Sequence, residues 1–126
     1  MTTKQNEMIK LTVREEEVME VFWSKGAMFV RELLEIHSDP KPHFNTLSTI
    51  VRGLEEKGFL AHHTYGNTYQ YYPVITLSEY SKGRLEGIVS KYFNNSPLSA
   101  VSTLVKGEKI SVEELRDLIH KVENQK

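Results

Sequence analysis

Apolar and polar positions between His43 and Lys57 fall into two stripes at helical spacing. Leu47, Ile50, Val51 and Leu54 recur at i, i+3, i+4 and i+7, and Asn45, Ser48, Thr49 and Arg52 repeat that spacing one face away. The apolar stripe suits a core. The polar stripe is built of short side chains and ends in a guanidinium, which lets a helix lie close to the floor of a DNA major groove and hydrogen-bond to it. Gly58 stands where a helix C-cap glycine belongs. Two strand-like runs follow, Leu60 to Thr64 and Thr68 to Val74, and the intervening Gly66-Asn67 predicts a type II′ hairpin.

Upstream, Thr12 with Glu15 reads as a capping box, and Val18, Met19, Val21, Phe22 and Trp23 predict a helix from about Val13 to Ser24, ended by Gly26. A second helix is predicted from about Val30 to His37 on Val30, Leu33, Leu34 and Ile36, and Asp39-Pro40-Lys41-Pro42 cannot continue it. Two helices, a polar-faced third and a hairpin follow one another in the order of a winged helix-turn-helix.

Downstream, Thr76 with Glu79 is a second capping box, before a helix whose stripe is Leu85, Ile88, Val89 and Tyr92. Ser96 caps a short helix with Pro97 at its first position and Leu98, Val101, Leu104 and Val105 expected inward. Ser111 with Glu114 caps a last helix with the stripe Leu115, Leu118, Ile119 and Val122. These stripes exceed what a small winged domain can cover, so they are expected to cover each other across a two-fold axis. The candidate dimerisation residues are Leu85, Ile88, Val89 and Tyr92 on the first of these helices, Val101 and Leu104 on the second, and Leu115, Leu118, Ile119 and Val122 on the third. The predicted fold is mainly α with a small β-hairpin: residues 1–75 form a winged-helix DNA-binding domain and residues 76–126 a helical dimerisation region.

The chain of 126 residues has no run of about 18 apolar residues and a polar start from Met1 to Lys10, so the expected compartment is the cytoplasm, with no membrane contact. It contains no cysteine, which excludes disulfides, thiolate metal sites and cysteine nucleophiles. The formal net charge is −1, where a DNA-binding protein is more often basic. Between Lys41 and Val74, Lys41, Arg52 and Lys57 stand against Glu55 and Glu56, a local excess of one positive charge. Lys4, Lys10, Arg14 and Arg31 can add to the same face. Few phosphate contacts per subunit are therefore expected, and adequate affinity requires two subunits together.

Asn45, Thr46, Ser48 and Thr49 lie in the half of the helix that reaches base edges; Asn45 can pair with adenine, and Thr46 or Thr49 can place a methyl against thymine. Arg52 can read guanine or hold a phosphate, and its place late in the helix favours the phosphate. Lys41, His43 and Lys57 flank the helix as candidate backbone contacts, against a reading as plain surface charge. Tyr65, Asn67 and Thr68 are the candidate wing contacts, although Tyr65 can equally pack on its own hairpin. Tyr69 and Tyr71 alternate with Gln70 and Tyr72, so one face is expected in the core, not as a base-stacking platform. His62 and His63 point to opposite faces of one strand and cannot chelate one ion together, and His37, His43 and His120 have no i, i+4 partner; no metal or other cofactor is predicted. No phosphate loop, nucleophile elbow or paired-histidine motif occurs, so the chain is not expected to be an enzyme. The competing readings are a winged helix that senses a small molecule in its core and one used for protein contact.

Leu11-Thr12, Glu15-Glu16-Glu17-Val18-Met19 and Phe22-Trp23, with Thr46-Leu47-Ser48-Thr49-Ile50-Val51, Leu54, Lys57-Gly58-Phe59 and Tyr69-Gln70-Tyr71-Tyr72, resemble the penicillinase-repressor family, the BlaI and MecI type of winged-helix regulators. The resemblance covers essentially the whole chain. It implies a homodimeric transcriptional repressor that binds a palindromic operator in double-stranded DNA. In the best-known members a regulatory protease releases the repressor by cutting between an asparagine and a phenylalanine, and Thr103-Leu104 stands at the matching position here. The copper-responsive branch carries a cysteine cluster that this chain lacks. Gly53 occupies a position where the family usually has a basic residue, so the operator need not match the family's.

Overall fold

The computed structural model describes residues 10–125. They run through helix α1 (Val13–Lys25), strand β1 (Met28–Phe29), helices α2 (Val30–Ile36) and α3 (Phe44–Glu56), strands β2 (Leu60–Tyr65) and β3 (Thr68–Pro73), and helices α4 (Leu77–Tyr92), α5 (Pro97–Lys106) and α6 (Val112–Asn124). This is the winged-helix order, with every predicted boundary of α1 to α3 and of the hairpin met to within one residue. No helix among the described residues is long and apolar enough to cross a membrane.

Local chemistry sets the element ends. The Thr12 hydroxyl accepts from the Glu15 N–H at 3.2 Å while the Glu15 carboxylate accepts from the Thr12 N–H at 3.0 Å, and the same reciprocal pair recurs at Thr76–Glu79 and Ser111–Glu114. In the hairpin, Tyr65 pairs with Thr68 and Leu60 with Pro73. Gly66 takes φ 59° and Asn67 keeps a negative φ, as a type II′ turn requires. The sheet has one strand that periodicity does not reveal: β1 pairs with the far edge of β3, Met28 opposite Tyr71 and Phe29 opposite Gln70. Two residues are too few to alternate.

The chain divides into two compact units, the first ending at Arg84 and the second beginning at Leu85. In the first, Val18, Met19 and Phe22 of α1, Leu33 of α2, and Leu47, Val51 and Leu54 of α3 are buried together with Leu60 and Tyr71 of the hairpin. Ile36, expected in this stripe, is exposed because it lies roughly 110° round α2 from the face that Val30, Leu33 and Leu34 define. α3 ends in a Schellman motif: the Gly58 N–H donates to the Glu55 carbonyl at 3.0 Å and the Phe59 N–H to the Leu54 carbonyl at 2.9 Å, with Gly58 at φ 87°. That reversal returns Phe59 to the core directly after the helix.

Tyr80 of α4 closes the first unit. Its ring lies 5.6 Å from Phe59 and 5.5 Å from Trp23, its hydroxyl donates to Glu16 at 2.8 Å, and it accepts from the Leu11 N–H at 3.2 Å. Burial, reinforced by the Glu16 carboxylate, pushes the phenol above its usual range and keeps it a donor. Trp23 in turn donates its indole N–H to the Ile75 carbonyl at 2.8 Å.

Among the described residues of the second unit no side chain is fully buried; Val101, Val105, Ile110 and Leu115 are half-buried. Leu98 and Leu104, both expected inward, are 81% and 44% exposed: the described residues of this unit do not cover them. α5 also ends in a Schellman motif, with Lys109 N–H to Leu104 carbonyl at 2.9 Å and Glu108 N–H to Val105 carbonyl at 3.0 Å. The left-handed position falls on Glu108, at φ 62°, one residue beyond Gly107.

Two outcomes are expected. Glu108→Gly should stabilise the chain by about 0.5–1 kcal/mol, because glycine carries no Cβ penalty at positive φ, and urea denaturation would measure it. The second concerns Lys57, whose ammonium lies 2.8 Å from both oxygens of Glu15 and ties α3 to α1. Burial raises the Glu15 pKa, but the Lys57 hydrogen bond and charge and the Thr12 contacts outweigh it, leaving the carboxyl below its ordinary range. A carboxyl whose pKa is depressed on folding stabilises above its unfolded pKa of about 4.3 and ceases to as pH falls through the folded value. Lys57→Met should therefore cost about 1 kcal/mol at neutral pH, and that difference should disappear in urea melts as pH falls through the lowered pKa of the folded Glu15 carboxyl.

Candidate nucleic-acid interface

Burial of Leu47, Val51 and Leu54 fixes which way α3 turns its other face. Asn45, Thr49 and Arg52 stand exposed on that face as one ridge. The Thr49 hydroxyl donates to the Asn45 carbonyl at 2.9 Å and accepts from Arg52 Nη2 at 3.3 Å. The second bond lays the guanidinium back toward the N-terminal half of the helix. Thr46 is exposed on one flank of the ridge and Ser48 half-buried on the other. His43 is exposed at the N-cap and makes no side-chain cap bond.

Two of the flanking lysines are engaged within the fold. Lys41 donates to the carbonyls of His37 at 2.8 Å and Glu35 at 3.0 Å, capping the C-terminal end of α2 where a cation is favoured. Lys57 faces Glu15. The arginines stand differently. Arg14 shares a surface cleft between α1 and α3 with Thr46 and Thr49. Arg31, at the start of α2, shares a second cleft with Phe44 and Ser48 of α3 and with Asn67 and Thr68 of the hairpin. Lys10 is exposed, and Lys4 lies outside the described residues.

A contact between His62 and Glu55 ties the hairpin to α3. His62 Nδ1 lies 2.7 Å from a Glu55 carboxylate oxygen, and its ring stacks on Tyr69 at 4.0 Å. Tyr71 is buried, and burial followed by the nearby Glu55 charge raises its phenol pKa. His63 lies on the opposite face, stacked on Tyr72 at 4.8 Å, as strand alternation demands. Tyr65 shares that outer face and packs edge-on to Phe29 at 5.8 Å, which is the local packing that the sequence left open for it. Asn67 and Thr68 are exposed at the tip.

The structure thus gathers Asn45, Thr49 and Arg52 on one ridge, sets Thr46 beside Arg14, and places Ser48, Asn67 and Thr68 about one cleft. It sets Lys41, Lys57 and Tyr65 in contacts of their own. Sequence reasoning missed Phe44, whose signal was a large apolar residue on an otherwise polar flank, one turn before Ser48. It also missed the Glu55–His62 tie, for which the sequence carries no local signal.

Residues 11–124 match the family model described as penicillinase repressor. The chain is 27% identical over 111 residues to the penicillinase repressor of Bacillus licheniformis, covering 87% of each chain. It is 26% identical over 122 residues to the methicillin resistance regulatory proteins MecI of Staphylococcus aureus (strain N315) and Staphylococcus epidermidis, covering 92% of this chain and 98% of theirs. With nearly its whole length matched, and with the winged-helix order already established from its own residues, the chain belongs to the penicillinase-repressor family.

Proposed function

We propose that this chain represses transcription as a homodimer on a palindromic operator, each subunit laying α3 in a major groove of duplex DNA with the hairpin β2–β3 beside it. Membership of a family of transcriptional repressors, not of enzymes, supports the first part. The observation that carries the second is the ridge Asn45–Thr49–Arg52, exposed and self-bonded, opposite the buried face of α3. Helices that read base edges present short polar groups in their N-terminal half and hold them in place before contact. Because Arg52 is drawn back onto Thr49, we assign it to a guanine edge and not to a phosphate. Thr46, Ser48, Asn67, Thr68 and His43 flank the ridge within the same reading, with Arg14 and Arg31 supplying phosphate contacts.

The division of labour follows: residues 1–75 bind DNA and residues 76–126 hold the dimer together. Leu85, Ile88, Tyr92, Leu104, Leu118, Ile119 and Val122 are exposed in the single chain, and Val89, Val101 and Leu115 are half-buried. Apolar stripes of that extent are ordinarily covered by a partner. The cytoplasm is the compartment such a role requires. Proteolytic release at Thr103-Leu104 forms no part of the proposal, since that pair departs from the family's Asn-Phe bond and the Thr103 hydroxyl is bonded to the Ser99 carbonyl at 2.9 Å within α5.

Fluorescence anisotropy against a duplex from the gene's own upstream region and a scrambled duplex, at two salt concentrations, tests the proposal. Tight binding to the first alone at two subunits per site is expected. Weak, equal, strongly salt-dependent binding to both would favour a protein-contact role. Arg52→Ala should cost about 1–3 kcal/mol per half-site and relax specificity at one base pair in each; a uniform loss with the dimer's salt slope lowered by about two would reassign it to a phosphate. Sedimentation equilibrium should give a dimer at micromolar concentration, and a monomer there removes the two-subunit scheme.

A further inference from the structure

Phe44 occupies the first helical position of α3 and is 45% exposed. The core of the first unit is complete without it, because neither the buried cluster nor the apolar side chains packed against it include Phe44. Its ring therefore stands in water at some cost, on a helix whose neighbouring exposed positions are short and polar. The position is also specific. Phe44 lies in the cleft between α3 and the hairpin, with Ser48 one turn on, Arg31 from α2 and Asn67 and Thr68 from the hairpin tip around it.

A major groove offers an apolar side chain one partner among base edges, the C5 methyl group of thymine. The first turn of α3 belongs to the half of the helix that reaches those edges. Phe44 is roughly 100° round the helix from Asn45, so it would address a different base pair from the one the ridge reads. The charge beside it fits a duplex: Arg31 lines the same cleft, and a guanidinium there suits a backbone phosphate.

We propose that Phe44 is a specificity-determining residue that reads a thymine methyl in each half-site, with Arg31 holding the adjacent phosphate across the cleft between α3 and the hairpin. The inference rests on the reading of this chain as an operator-binding repressor and adds to it a thymine contact separate from those open to Thr46 and Thr49.

The test uses the full chain and the duplex it selects from a random-sequence library. Each thymine of that duplex is replaced in turn by deoxyuridine, which removes only the methyl group. For the unaltered protein, one replacement per half-site should weaken binding about fourfold, the effect of burying one methyl. In Phe44→Ala that same replacement should have no effect, while every other thymine behaves as before; Phe44→Leu, which keeps an apolar contact, should retain part of the fourfold loss. Arg31→Ala, which removes one phosphate contact from each of the two subunits, should lower the salt slope by about two and leave the thymine preference intact. A selected duplex indifferent to every replacement, or a Phe44→Ala protein that keeps the full loss, overturns the inference for Phe44, and an unchanged slope in Arg31→Ala overturns it for Arg31. A library that yields no preferred sequence overturns the repressor reading itself, so the two failures are separable.

Discussion

Everything in the first unit depends on a single helix being divided lengthwise. Leu47, Val51 and Leu54 are sealed against α1, α2 and the hairpin, and that burial alone decides that Asn45, Thr49 and Arg52 face outward. The direction in which this polar ridge faces is thus set by the core. A core change that rotated α3 by one residue, roughly 100°, would move every polar group off the ridge. The Schellman turn at Gly58 belongs to the same constraint, since it stops α3 and delivers Phe59 into the core with no intervening loop. Tyr80 then locks Phe59 and Trp23 from the far side, with its hydroxyl shared between Leu11 and Glu16.

Charge is distributed under the same economy of few groups. The chain has a formal net charge of −1, yet its two lysines nearest α3 are held by the fold, Lys41 on the carbonyls that end α2 and Lys57 on Glu15. Both contacts keep α3 in place at its two ends. Among the described residues, the cations beside the outward face include Arg14, Arg31 and Arg52, whose planar forks suit phosphate and guanine better than an ammonium does. A small number of well-placed arginines gives a shallow salt dependence per subunit, which is why the proposed mode of action needs two subunits and not a broad basic surface.

Much of this was legible in the residues. The two stripes on α3, the capping boxes at Thr12, Thr76 and Ser111, and glycine first in the hairpin loop are local rules, and each determined an element end. What was not legible has a common cause, namely contacts between residues far apart in sequence. Strand β1 exists because β3 has a free edge for Met28 and Phe29. Tyr80 lies roughly 130° round α4 from the stripe of Leu85, Ile88, Val89 and Tyr92, so as one apolar residue off the periodic face it carried no signal. Lys57 reads as a surface charge until Glu15, 42 residues earlier, is brought against it. In the second unit the stripes were legible but their covering was not, because Leu98 and its neighbours find no cover among the described residues of that unit.

The hairpin shows how α3 and the wing come to act as one surface. A β-hairpin alone is marginal in water, and its tip would be free to move relative to the helix. Here His62 bridges the gap, bonded to Glu55 on the last turn of α3 and stacked on Tyr69 of the opposite strand, while Tyr71 anchors the base of the hairpin in the core. Fixing the wing in this way before any partner arrives removes ordering entropy that binding would otherwise have to overcome. The same contact joins the two walls of the cleft that Phe44, Arg31 and Asn67 share, since Glu55 belongs to α3 and His62 to the hairpin.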